Sequence, residues 1–218
     1  ERAIGIAQQL PEALRRAVGH NDRIEIDIVA HSMGCRLTLE LIRRLIAVPD
    51  VSIQRVVFMA AAVPTFLLEP PERLRTGLDH PRVEGVMSLF SADDSVLDNA
   101  FPLGQWDAQG ESWTDGDEWR RGNTVALGHE RWVPVNPPRV LSQENQIQIS
   151  GAGHSDYWGW REKTRDRQGR WANILVKDFL RFTDAGSREV LSRERADRET
   201  APGRTGGPDR EPASRNPD

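Results

Sequence analysis

A single cysteine, Cys35, is all the sulfhydryl chemistry that the 218 residues carry. That excludes an internal disulfide framework and any cysteine-built metal cluster. Cys35 falls inside a predicted helix and reads as a small packing residue rather than a reactive thiol. Long apolar runs are missing too: none approaches the roughly 18 consecutive residues of a membrane span, and no segment has the build of a signal peptide. Both absences point to a cytoplasmic chain with no membrane span. Nor is there an excess of positive charge. The formal net charge is −4, which gives no case for nucleic acid as a partner. No Gly-x-Gly-x-x-Gly or Walker-type loop follows a strand pattern, and no histidine pair has zinc spacing with a carboxylate between. Neither a metal nor any other cofactor is expected.

What is present is organised around Ile26–Cys35, Ile-Asp-Ile-Val-Ala-His-Ser-Met-Gly-Cys. A β-branched run (Ile24, Ile26, Ile28, Val29) stops at Ala30-His31-Ser32-Met33-Gly34. A helical stripe then starts at once with Leu37, Leu39, Leu41, Ile42 and Leu45. Strand, tight turn and helix form the setting in which a small-x-Ser-x-Gly match carries meaning. Such a turn asks for small residues two before and two after the serine, here Ala30 and Gly34. It also holds the serine in a strained backbone with its Oγ exposed. Ser32 therefore reads as a nucleophile, against the competing reading of a serine that only caps the helix.

Elsewhere the chain alternates strands and helices. Glu1–Val18 has one apolar helical face, with a kink or fresh start expected at Pro11. Strands are predicted at Arg23–Val29, Ile53–Met59, Gly85–Phe90 and Ile147–Ser150. Helices are predicted at Gly34–Val48, around Glu72–Thr76, and at Ala172–Phe182. Ala60-Ala61-Ala62 is a small-residue exit that leaves room above the sheet. Asp98–Asn145 is a long insertion with Trp106, Trp113, Trp119 and Trp132 and little periodicity. It reads either as a lid over an apolar group or as a satellite cluster anchoring a loop. From Asp184 onward large apolar residues nearly vanish, so 184–218 is expected to be a charged, disordered tail to a domain spanning 1–183.

This pattern predicts an α/β domain with a mainly parallel sheet flanked by helices. Right-handed crossovers place all strand C-termini on one edge. Ser32, Ala60, Asp93/Asp94 and His154 each follow a predicted strand end, and open α/β sheets bind ligands on that edge. A serine needs a base within reach, histidine suits the role, and a carboxylate must fix the imidazole. The order Ser32, Asp94, His154 supplies all three, with Asp93 as the alternative acid. The plain reading of the aspartates is a pair of turn caps. Among the other histidines, His31 lies inside the elbow, His20 and His80 sit in turns, and His129 could touch a substrate. Trp158 and Trp160 are expected to pack beneath the histidine loop.

Ala30–Gly34, Ser91-Ala92-Asp93-Asp94-Ser95-Val96-Leu97 and Gly153-His154-Ser155-Asp156-Tyr157 together resemble an α/β-hydrolase. They are most similar to poorly characterised bacterial esterase/lipase-like serine hydrolases, over roughly Arg23–Phe182. The resemblance implies a serine esterase acting on a small-molecule carboxylic ester. Ser32 would be the nucleophile, His154 the base and Asp94 the acid, with the Met33 N–H in the oxyanion hole and no cofactor. The family's second oxyanion donor comes from a loop after an earlier strand, and only Glu1–Asp22 precedes the elbow strand. The chain starts at Glu1, not Met, and the N-terminal part of the fold is expected to be missing. The first strand would then have an open edge through which copies could self-associate. The alternative function is a catalytically impaired α/β-hydrolase-like binding or interaction module.

Overall fold

In the computed structural model the described residues are 7, 9–14, 16, 24–70, 73–102, 125–158 and 165–180. All of them fall within one compact unit, Glu1–Arg181. The expected tail, Trp106, Trp113, Trp119 and Trp160 lie outside the described residues. Four strands form the sheet: β1 (Ile24–His31), β2 (Val51–Met59), β3 (Val83–Phe90) and β4 (Gln146–Gln148). Their spatial order is β1-β2-β3-β4, and every pairing is parallel. Helix α1 (Met33–Leu45) joins β1 to β2, and α2 (Arg73–Asp79) lies between β2 and β3. Helix α3 (Ala172–Leu180) ends the described chain. The protein is thus a mixed α/β structure with a parallel four-stranded sheet flanked by helices. No described helix is long and apolar enough to cross a membrane.

The layering follows from the strand sequences. β2 ends Val56-Val57-Phe58-Met59, all buried, the near-continuous apolar run of a parallel strand covered on both faces. Successive side chains alternate between faces. Val56 and Phe58 join Leu39, Ile42 and Leu45 of α1 and Leu74 and Leu78 of α2 in one core. Val57 and Met59 join Ile149, Tyr157, Leu175 and Leu180 in the other. At roughly 25 cal/mol per Å² of apolar surface removed from water, these two cores are the dominant stabilising term.

Boundaries differ from expectation in instructive ways. β1 runs on through Ala30 and His31, because His31 still pairs with Met59 on β2. β2 and β3 each begin two residues before the β-branched run predicted, at Val51 and Val83. β4 is shorter and earlier than Ile147–Ser150. Ile149 still donates its N–H to Phe90 O (2.8 Å), but Ser150 turns to pair with Arg165 (3.1 Å). Residues 9–14 are helical on both sides of Pro11, so no fresh start occurs there. The room expected above Ala60-Ala61-Ala62 is filled. Leu127 and Gly128 donate their N–H groups to Val63 O and Ala61 O, at 2.9 and 3.0 Å. A Cβ at Gly128 would overlap the backbone of Ala60 and Ala61, so only glycine lets this segment cross the strand ends.

Candidate active site

Three strand ends meet at the C-terminal edge of the sheet. At the first, β1 passes into α1 with a single residue between, Ser32, whose φ is 54° and ψ −126°. A non-glycine residue in that region costs of order 1–3 kcal/mol and survives only when its surroundings enforce it. Here the enforcement is visible: Ser32 N–H donates to Met59 O (3.0 Å), and Ser32 O accepts from Cys35 and Ala62 (3.0 and 3.3 Å). The Ser32 side chain makes no cap to the helix, so the capping alternative is set aside. Gly34 is not required by crowding: a Cβ there would meet nothing within 4 Å. Ala30 is buried.

At the third strand end, Ser91–Asp94 form a tight turn closed by Asp94 N–H to Ser91 O (3.2 Å). Asp94 is fully buried. Its Oδ1 accepts the N–H groups of Val96 and Leu97, each at 3.1 Å, at the head of a π-helical turn, Val96–Ala100. Its Oδ2 lies 2.8 Å from His154 Nδ1. Asp94 thus caps the turn through one oxygen and bonds to His154 through the other. Asp93, the alternative acid, is exposed and points elsewhere: its Oδ2 accepts the Gly151 N–H at 2.8 Å.

His154 follows β4 by a few residues. Its Nε2 stands 2.8 Å from Ser32 Oγ. An ionised carboxylate only accepts, so the ring proton sits on Nδ1, and Nε2 is left to accept from the Ser32 hydroxyl. Ser32, His154 and Asp94 thus form one unbroken hydrogen-bonded relay on residues separated by 122 and 60 positions. The Met33 N–H opens α1 and, like every first helical N–H, has no acceptor within the helix. The described residues upstream of β1 are helical, and no second oxyanion donor is identified among them.

His80 Nδ1 accepts the Arg82 N–H at 3.2 Å, and His129 Nε2 lies 3.9 Å from Asp98 Oδ1. His20 lies outside the described residues. Trp158 does not pack beneath the loop: it is 51% exposed, with its ring tilted against His31 at 6.2 Å. Tyr157, its neighbour, takes the buried position instead. Burial, and then the charge of Asp94, raise the Tyr157 phenol well above its ordinary range. Trp132 is buried as the anchor of its loop, its backbone gripped by Gln146 through two bonds of 2.8 and 2.9 Å. Cys35 is fully buried, and burial pushes its thiol up from 9.0 to about 12, leaving no thiolate at neutral pH. Among the described residues no group of three His, Cys, Asp or Glu could hold a metal ion.

One contact escapes sequence reasoning. His31 Nε2 donates to the carbonyl of His154 at 2.6 Å. The partners are 123 positions apart, and a backbone acceptor leaves no trace in residue type. Compared with known proteins, the chain matches no protein-family model, no curated protein and no solved structure.

Proposed function

We propose that the chain is a serine hydrolase of the α/β-hydrolase type, acting on small carboxylic esters through an acyl-enzyme. The observation that carries this reading is the relay itself, with both links at 2.8 Å and its serine in a strained turn at a helix head. Ser32 Oγ attacks the ester carbonyl as its proton passes to His154 Nε2. The new imidazolium is held by buried Asp94. The tetrahedral oxyanion develops beside the Met33 N–H, at the positive end of α1. Collapse breaks the C–O bond to the alcohol, which leaves with the proton from His154. Water then attacks the acyl-Ser32 ester with His154 again as base, and releases the carboxylic acid and free Ser32.

A fluorophosphonate probe, which mimics the acyl donor at phosphorus, tests this. Covalent labelling at Ser32, lost in Ser32→Ala and strongly slowed in His154→Ala, is the expected result. A folded chain that resists the probe overturns it. One observation favours a second reading, a binding module: β1 ends the sheet order, and its outer side has no strand partner among the described residues. Such an edge is a template for another chain. That reading requires Ser32→Ala to leave the chain's biological activity intact, and concentration-dependent association in a sedimentation experiment.

A further inference from the structure

We propose that His31 and Asp93 are positioning residues that grip the loop carrying His154 from two sides and hold its imidazole against Ser32. The inference rests on the hydrolase reading for its kinetic consequences but not for its geometry. The loop's backbone receives one bond from each: His31 Nε2–H donates to His154 O (2.6 Å), and Asp93 Oδ2 accepts Gly151 N–H (2.8 Å). A third bond, Gly153 N–H to Asp156 Oδ2 (3.0 Å), is internal and stiffens the loop without locating it.

The two anchors are the chain neighbours of the two residues that His154 must reach. His31 precedes Ser32 and Asp93 precedes Asp94. Consecutive Cα atoms are held about 3.8 Å apart by the peptide bond. Each grip therefore references the histidine loop to one partner of its ring across a single rigid link. His31 is itself fixed at the last β1–β2 rung, opposite Met59. Because a carbonyl cannot donate, His31 carries a proton on Nε2, whereas His154 carries its proton on Nδ1. The rings stand 5.0 Å apart, centroid to centroid, and do not bond to each other. Without the grips the loop keeps its internal turn and its flanking bonds at Ile149 and Ser150, but the stretch between, which carries the imidazole, can shift against Ser32 and Asp94. A displacement near 1 Å costs about 10²-fold in rate for a positioned catalytic group.

The test reads geometry first and chemistry second, in the full chain. The proton shared by His154 Nδ1 and Asp94 gives a far-downfield NMR resonance without any substrate, assigned by its loss in His154→Ala. His31→Phe keeps a ring but removes the donor, and His31→Gln restores an amide N–H. We expect His31→Phe to broaden or abolish the resonance and to slow fluorophosphonate labelling about 10- to 100-fold, with His31→Gln recovering most of both. Asp93→Ala should act in the same direction more weakly. The double variant should lose less than the product of the singles, since both hold one loop. A native-like circular dichroism spectrum with an unchanged resonance and labelling rate in His31→Phe overturns the proposal, as does absence of the resonance from the wild-type chain. If His31→Phe does not fold, Asp93→Ala decides, and no change there overturns the clamp. A resonance lost in His31→Phe from a chain that never labels at Ser32 overturns the hydrolase reading and supports the clamp.

Discussion

Ser32 and Ala60 share an unfavourable positive φ, 54° and 46°, one residue beyond the same rung of the sheet. They are the only described non-glycine residues with positive φ. At Ser32 the strained residue feeds a helix and lifts a hydroxyl toward His154. At Ala60 it turns the chain into Ala61–Thr65, which the segment 125–128 covers from above. Ala60 is fully buried, with the Gly128 backbone against it. A positive φ at a strand end therefore serves two different local arrangements. What separates the two is what the enforced turn presents: a hydroxyl bonded to the His154 imidazole in one case, a seat for a crossing backbone in the other.

The largest expected effect breaks this comparison at its chemical side. Ser32→Ala should lower ester turnover by about 10⁶-fold, as loss of a nucleophile does elsewhere, and Ala60→Ser in that background should restore nothing. Stopped assays with a chromogenic ester read both. Next in size is Asp94. Asp94→Asn keeps the shape but lets the imidazole settle in the wrong tautomer, which should cost about 10⁴-fold in kcat. Asp93→Asn, which keeps an oxygen for Gly151, should cost far less.

The structural side of the comparison is broken by Gly128→Ala. Its Cβ would overlap backbone rather than a flexible side-chain tip, so the segment must move. We expect a loss of about 3 kcal/mol or more in urea unfolding. A milder effect tests the Ser32 side. Met59 O accepts both the Ser32 N–H and the Cys35 thiol, the latter at 3.7 Å. Because burial raises Cys35 from 9.0 to about 12, its contribution is complete below about pH 9 and is lost as pH rises toward 12. Cys35→Ala should flatten part of the alkaline fall in Tm. The buried phenol of Tyr157, raised in the same direction, accounts for a further part.

How much of this was legible beforehand depends on how local the cause is. The β-branched runs before Ser32, Ala60 and Ser91, and the apolar stripes of α1 and α3, announce themselves through nearest-neighbour periodicity. Parallel connection then carries Ser32, Asp94 and His154 to one edge without further information. Contacts made by backbone stay hidden. Nothing in the residue types tells that His31 bonds to the carbonyl of His154, that Gly128 wedges over Ala60, or that Asp93 reaches Gly151. Trp158 misled for a related reason. Its size suggests burial, but the neighbouring Tyr157 already fills the interior site beneath the loop, and one turn of 3₁₀-helix over Asp156–Trp158 sends the next side chain outward.

The smallest effect is expected at Ala60→Gly, and it sharpens the comparison most. If Ala60 carries strain of the same origin as Ser32, glycine relieves about 1 kcal/mol of it, because a residue without Cβ adopts positive φ freely. Against this stand the extra backbone entropy of glycine in the unfolded chain, roughly 0.5–1 kcal/mol, and the loss of one fully buried methyl, worth somewhat less than 1 kcal/mol. The terms nearly cancel, so the unfolding free energy should change by less than about 1 kcal/mol. Ser32→Gly removes the same strain from a partly exposed position and forfeits no buried methyl, so it should come out more stable than Ala60→Gly. A Ser32→Gly chain less stable than wild type by more than glycine's unfolded-state entropy, roughly 0.5–1 kcal/mol, would show that the hydroxyl's bond to His154 outweighs the strain of the turn.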